Sequence, residues 1–180
     1  IDRQQQAAAA PFYYSQPIDT TQAPPDPSIS DPSVALFDQA REEIKAGEYA
    51  KALDLTNQTL KKLPTDATAH EFRALCLFAL GQYDQAAAPL YAVLSVGPGW
   101  DWTTLAGLYA SIDTYTTQLR ALEAYVTAHS TAAQPRFVLA YHYLTQGNNE
   151  AAVSQYKVIT EIQPSDKLSA GLIKALSPAP

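Results

Sequence analysis

The chain has a single cysteine and no methionine among its 180 residues. One cysteine excludes an intrachain disulfide. Cys76 stands in the apolar run AHEFRALCLFAL, where a free thiol reads as a small core residue, because nothing basic is spaced to activate it. Basic side chains are few: 12 Lys and Arg against 18 Asp and Glu give a formal net charge of −6 and a pI near 4.9. They are also scattered, with Lys61-Lys62 the one adjacent pair. That argues against a nucleic-acid surface, which needs clustered Lys and Arg, and against a basic membrane-binding face. No apolar run approaches the ~20 residues of a bilayer-spanning helix. The three histidines, His70, His129 and His142, lack partners at metal-ligand spacing. No nucleophile elbow, phosphate-binding loop or dinucleotide fingerprint occurs. No catalytic residue, metal ligand or cofactor is assigned on these grounds. Asn57-Gln58-Thr59 fits the N-glycosylation pattern but falls in a predicted helix.

What the chain does have is uneven. Residues 1–32 hold six of the thirteen prolines, the run QQQAAAA and the polar stretch SISDPS. Such a segment cannot build a core and is expected to be an extended, Pro-rich arm. Its one apolar cluster is PFYYSQPI, with Phe12, Tyr13, Tyr14 and Ile18. A linker has no need of these four together, so they are expected to dock on an apolar surface, in trans. The absence of Met and the start at Ile1 give the expectation of a processed, exported product.

From residue 33 onward the sequence repeats. AGEYAKALDLTNQTLKKLP, LGQYDQAAAPLYAVLSVGP and QGNNEAAVSQYKVITEIQP keep Gly, Ala and Pro at the same offsets. The positions are Gly47, Ala52 and Pro64; Gly81, Ala86 and Pro98; Gly147, Ala152 and Pro164. A recurring period outranks any single motif. Asp31-Pro32 start a first helix that buries Phe37, Ala40 and Ile44, and Gly47 closes it. Thr65-Asp66 and Ser165-Asp166 cap later helices, the last of them KLSAGLIKAL. Residues 99–132 lack the Gly and the Pro; helices are expected over WTTLAGLYASI and QLRALEAYVTAH. Pro89 is expected to bend the second helix of its repeat or to delay its start. The sum is nine helices in an all-α solenoid. Repeats cover about 33–66, 67–100, 101–132 and 133–164, with a capping helix at 165–176 and a tail at 177–180.

This pattern resembles the tetratricopeptide repeat, a 34-residue helix–turn–helix with small, aromatic and Pro positions at fixed offsets. Leu139-Ala140-x₂-Tyr143, Ala152-x₃-Tyr156 and Pro164 follow it best. Glu43 and Thr56 depart from it, standing at the two aromatic positions of the first repeat. With its leader and the phrase GPGWDWTTLAGLY, the chain also resembles a group of secreted bacterial tetratricopeptide proteins with Tyr/Pro-rich leaders. The family resemblance implies that the first helices of successive repeats line a groove for extended peptides. Its groove positions fall on Phe37, Leu75, Phe78, Trp102, Leu105, Tyr109, Phe137 and Tyr141, among others that include Val34, Thr68 and Glu71. The twelfth positions, such as Phe78, are equally candidates for core. The Lys, Asn and Arg with which the family's chaperone-tail readers clamp a carboxylate are missing, which disfavours that function. Two readings of different class follow. One is a non-catalytic scaffold whose apolar groove takes a peptide or protein partner. The other is a self-assembling subunit whose arm enters a neighbour's groove and gives a homo-oligomer or filament. An enzyme is a distant third.

Overall fold

The computed structural model describes residues 32–177, and among these the chain is helical throughout. Nine helices follow one another: α1 (Pro32–Lys45), α2 (Tyr49–Lys62), α3 (Ala67–Ala79), α4 (Tyr83–Val96), α5 (Trp102–Ala106), α6 (Ile112–Ala128), α7 (Ala133–Thr145), α8 (Asn149–Ile162) and α9 (Lys167–Leu176). The residues expected to dock, Phe12, Tyr13, Tyr14 and Ile18, lie outside the described residues.

The repeated glycines set the turns. Gly47, Gly81 and Gly147 have φ of 79°, 72° and 75°, the left-handed region where a side chain is strained. In each case the next residue's N–H reaches back to the helix it leaves: Glu48 to the Glu43 carbonyl, Gln82 to Leu77, and Asn148 to Tyr143, at 2.8–2.9 Å. This is the Schellman closure, which satisfies carbonyls that the helix end would otherwise orphan. Helix starts are fixed by side chains. Asp66 accepts from the Ala69 N–H at 2.7 Å, and Asp166 accepts from the Ser169 N–H at 2.9 Å.

The repeated alanines set the packing. Ala40, Ala74 and Ala140, and likewise Ala52, Ala86 and Ala152, are buried at 0–1% exposure. A small residue there lets paired helices approach closely. The pairs α1–α2, α3–α4 and α7–α8 form on this basis. Pro89 does not delay α4, which starts at Tyr83 and runs through it.

The third pair departs from expectation. The helix predicted over residues 102–112 is only the five-residue α5, and the second helix begins at Ile112. Tyr115, standing where a turn glycine was sought, is inside α6 and 1% exposed. Two local signals explain the split. Gly107 ends α5, and the Ser111 hydroxyl accepts from the Asp113 N–H at 3.2 Å and starts α6. The consequence is topological. Helix α4 packs on α7 along the row, as α2 packs on α3 and α8 on α9. The third pair lies beside that row, with α6 against α7 and α3.

Candidate functional site

The segment from Gly97 to Tyr115 runs onto the first helices α3 and α7. It leaves α4 in extended backbone, with Gly97 at φ −172° and ψ 179° and Asp101 again extended. The Trp100 N–H donates to Glu71 Oε1 at 2.6 Å, and the Tyr141 hydroxyl donates to the same oxygen. One carboxylate oxygen thus joins α3, the 98–101 junction and α7. Glu71 is 4% exposed. Burial pushes its carboxyl above the usual range, while the Tyr141 and Trp100 hydrogen bonds pull it back down. Gly99 fits between these groups at φ 73°, and a Cβ there would stand 2.9 Å from Glu71 Oε1 and 3.3 Å from Tyr141 Cε2.

Aromatic rings continue the contact on both sides. Phe37 meets Phe72 at 4.7 Å between centroids, and Phe72 meets Trp100 edge-on at 5.5 Å. Trp102 and Tyr109 both meet Tyr115, at 5.3 and 5.4 Å. Tyr115 meets Phe78 at 6.1 Å, and its hydroxyl pairs with His142 Nδ1 at 3.1 Å. His142 lies against Phe78 at 3.9 Å, is 1% exposed, and has its pKa lowered by burial to about 3. It is a neutral core imidazole at neutral pH.

The groove positions read from the sequence are therefore mostly covered. Leu75, Phe78, Leu105, Tyr109, Phe137 and Tyr141 are buried, whereas Phe37 and Trp102 keep partial exposure. Phe78 is covered by Tyr115 of α6, Tyr141 is tied to Glu71, and Phe137 packs between Tyr91 and Tyr156 at 5.5 and 5.7 Å. Of the groove positions Trp102, Tyr109, Phe137 and Tyr141, the last three are not open to a ligand, because the chain's own third pair and neighbouring helices close over them. Glu71 was placed among the groove positions by the repeat phase, but its role as a buried anchor is one that spacing alone does not announce. The available signal was an acidic residue inside an otherwise apolar helix.

Where the groove is not covered, a cavity of about 260 Å³ opens between α1, the end of α2 and the start of α3. Val34, Phe37, Leu63 and Ala69 supply its apolar wall, and Thr68 its rim. Arg41 lies over the Phe37 ring at 5.2 Å. Three of these residues, Val34, Phe37 and Thr68, are groove positions by the repeat phase.

The remaining sequence candidates have structural partners. The Cys76 thiol is buried and pushed up to about 12 by desolvation, so it is not a thiolate at neutral pH. His70 is buried with Nε2 on the Pro64 carbonyl at 2.8 Å, and His129 stacks on Tyr125 at 3.9 Å. Asn57 on α2 accepts from Arg73 Nε on α3 at 2.9 Å, linking one helix pair to the next. Among the described residues no three His, Cys, Asp or Glu side chains gather as a metal set, and no helix is long and apolar enough to cross a membrane.

Residues 37–99 match the family model described as tetratricopeptide repeat. No curated protein matches the chain at a significant level. Among solved structures, the first TPR of Spaghetti (RPAP3) bound to the HSP90 peptide SRMEEVD is 12% identical, with a TM-score of 0.37 over 80% of this chain and 89% of that one. MamA from AMB-1 is 20% identical, with a TM-score of 0.35 over 81% of this chain and 80% of that one. Both superpositions are loose and decide nothing about what this chain binds. The tetratricopeptide match over residues 37–99 contains two of the three Gly–Ala–Pro copies, Gly47–Ala52–Pro64 and Gly81–Ala86–Pro98; the third copy, Gly147–Ala152–Pro164, lies beyond it and shares the same offsets.

Proposed function

We propose that the protein is a non-catalytic interaction scaffold whose first-helix face takes an extended, aromatic-bearing peptide segment. One observation carries this reading: the face already holds such a segment in cis. Residues 97–101 cross it in non-helical backbone, extended at Gly97 and Asp101, donate the Trp100 N–H to a buried carboxylate, and set the Trp100 ring edge-on to Phe72. Main-chain hydrogen bonding plus pockets for side chains is how proteins hold extended peptides generally. The part of the face next to α1 has the same character, with Phe37 half-buried and Val34 60% exposed, and it is the part left for a partner.

The test uses the two tryptophans, Trp100 and Trp102, as internal reporters beside that face. A library of uncharged ten-residue peptides carrying proline and two aromatic residues is titrated into the full chain, with Trp emission recorded. The scaffold reading expects saturable shifts at micromolar peptide, weakened at least tenfold by Phe37→Ser and unaffected by Ala121→Ser on the exposed side of α6. A library without a single saturating member sinks it.

A further inference from the structure

The two ends of the row are finished differently. At the C-terminal end α9 lays Leu168, Leu172, Ile173 and Leu176 against the core. At the other end no described element stands before α1. There Val34 is 60% exposed, Phe37 is half-buried, and the 260 Å³ cavity lies open beside them. A stacked array needs both terminal faces covered, because each unit relies on a neighbour to bury its apolar side.

We propose that the occupant of this cavity is the chain's own segment Pro11–Ile18, docked in cis as the missing N-terminal cover. This rests on the reading of the first-helix face as a peptide site, and it names the resident peptide.

Five observations point to that segment. The cavity is lined by Ser33 and Val34, so the chain leading into α1 departs from its rim. Between Ile18 and Pro32 lie 13 residues, which span up to ~40 Å when extended, enough to fold back across one helix pair. PFYYSQPI is the one strongly apolar cluster before residue 32 and has no charged residue, which suits a wall of Val34, Phe37, Leu63 and Ala69. Asp66 is the one charged residue lining the cavity and is engaged in capping α3 through the Ala69 N–H, so the rest of the lining is uncharged, as an uncharged segment requires. Finally, the volume is below the ~300–1,000 Å³ of small-molecule sites and matches one inserted aromatic ring with its neighbours along the rim.

A tether of this length holds the segment at millimolar effective concentration, which favours the intramolecular contact over a neighbour's arm. A partner peptide then binds by displacing the arm, and the arm sets the threshold for partner binding.

The experiment uses the full chain, a variant with Phe12→Ser, Tyr13→Ser and Tyr14→Ser together, and the synthetic peptide PFYYSQPI labelled for fluorescence polarisation. The expected result is peptide binding to the triple variant that is at least tenfold tighter than to the wild type, and its loss when Val34→Glu is added. Val34 is exposed, so Val34→Glu leaves the fold intact, which circular dichroism checks. In the wild-type background Val34→Glu is expected to free the arm, seen as faster chymotrypsin cleavage at Phe12–Tyr14. Equal affinity for wild type and triple variant overturns resident docking while leaving the peptide-binding face standing. No binding to either protein overturns this occupant, and the peptide library above then decides separately whether the face binds peptides. Light scattering that shows a concentration-dependent dimer, absent from the triple variant, overturns the cis arrangement in favour of exchange between copies.

Discussion

Glu71 is the residue on which the candidate site turns, and its energetics are set by what its neighbours lose without it. Its Oε1 accepts both the Trp100 N–H and the Tyr141 hydroxyl inside the fold. An orphaned buried donor costs about 1–3 kcal/mol. Glu71→Leu, which orphans both, is therefore expected to lower the unfolding free energy by about 2–4 kcal/mol in urea titrations. Glu71→Gln keeps a carbonyl oxygen and is expected to lose about 1 kcal/mol; equal losses for the two would show that the hydrogen bonds do not matter. His142 gives a pH signature of its own. Its folded pKa is about 3 against roughly 6.5 when unfolded, so the unfolded chain binds the extra proton. Stability then falls as pH drops below about 6.5 and keeps falling toward 3, by at most ~1.4 kcal/mol per pH unit. His70 is lowered as well and acts with the same sign, whereas Glu71, raised by burial, relieves a cost as pH falls and acts against both. His142→Phe keeps the ring against Phe78 and is expected to reduce the loss between pH 6.5 and 5 by about 1–2 kcal/mol. An unchanged slope would mean that another group governs the acid limb.

At the scale of elements, the alanines at helix crossings make the sharpest prediction. Ala86 is fully buried on α4. Ala86→Leu forces extra methylenes into a close crossing and is expected to cost about 1–3 kcal/mol, while Ala121→Leu on the exposed side of α6 stays within about 0.5. Melting curves of the two variants that shift equally would show that the Ala86 crossing is not tight. The same small residues explain why most of the row was legible in sequence. Gly47, Gly81 and Gly147 are required by backbone conformation, the alanines by approach distance and the prolines by helix termination, so three copies announce themselves. The third pair was not legible because its apolar residues Trp102, Leu105, Tyr109 and Ile112 keep helical offsets across a break. Gly107 and Ser111 mark that break, but a one-dimensional period gives them little weight. Groove and core were likewise indistinguishable, since both demand large apolar side chains at the same offsets. Only the path of residues 97–115 across α3 and α7 decides that Phe78 and Tyr141 are inside.

The whole molecule is therefore a row with a passenger. In a regular solenoid each unit touches only the next, and stability is a sum over neighbours. A third pair standing in line would make α6 the main link between α4 and α7. Instead α4 packs on α7 directly, with Tyr91 against Phe137, and α6 lies beside that seam on α3 and α7, with Tyr115 touching Phe78 and His142. The two arrangements respond differently when the third pair is weakened. Tyr115→Leu removes the ring and hydroxyl that seat α6 while leaving the α4–α7 seam untouched. Native-state hydrogen exchange is expected to show faster opening of amides in α5 and α6, by about 10–100-fold, because a satellite unit opens at a lower free energy than the core. Amides of α3, α4, α7 and α8 are expected to keep a common opening rate, and chemical unfolding of the row a single transition. Separation of α7–α9 from α1–α4 into two transitions would show that the third pair carries the coupling in line. The passenger also explains why so little of the α3–α7 face is open. Its side chains lie over α3 and α7, which leaves the cavity beside α1 as the open part of the first-helix face and the place where the proposed binding and its proposed control by the arm would meet.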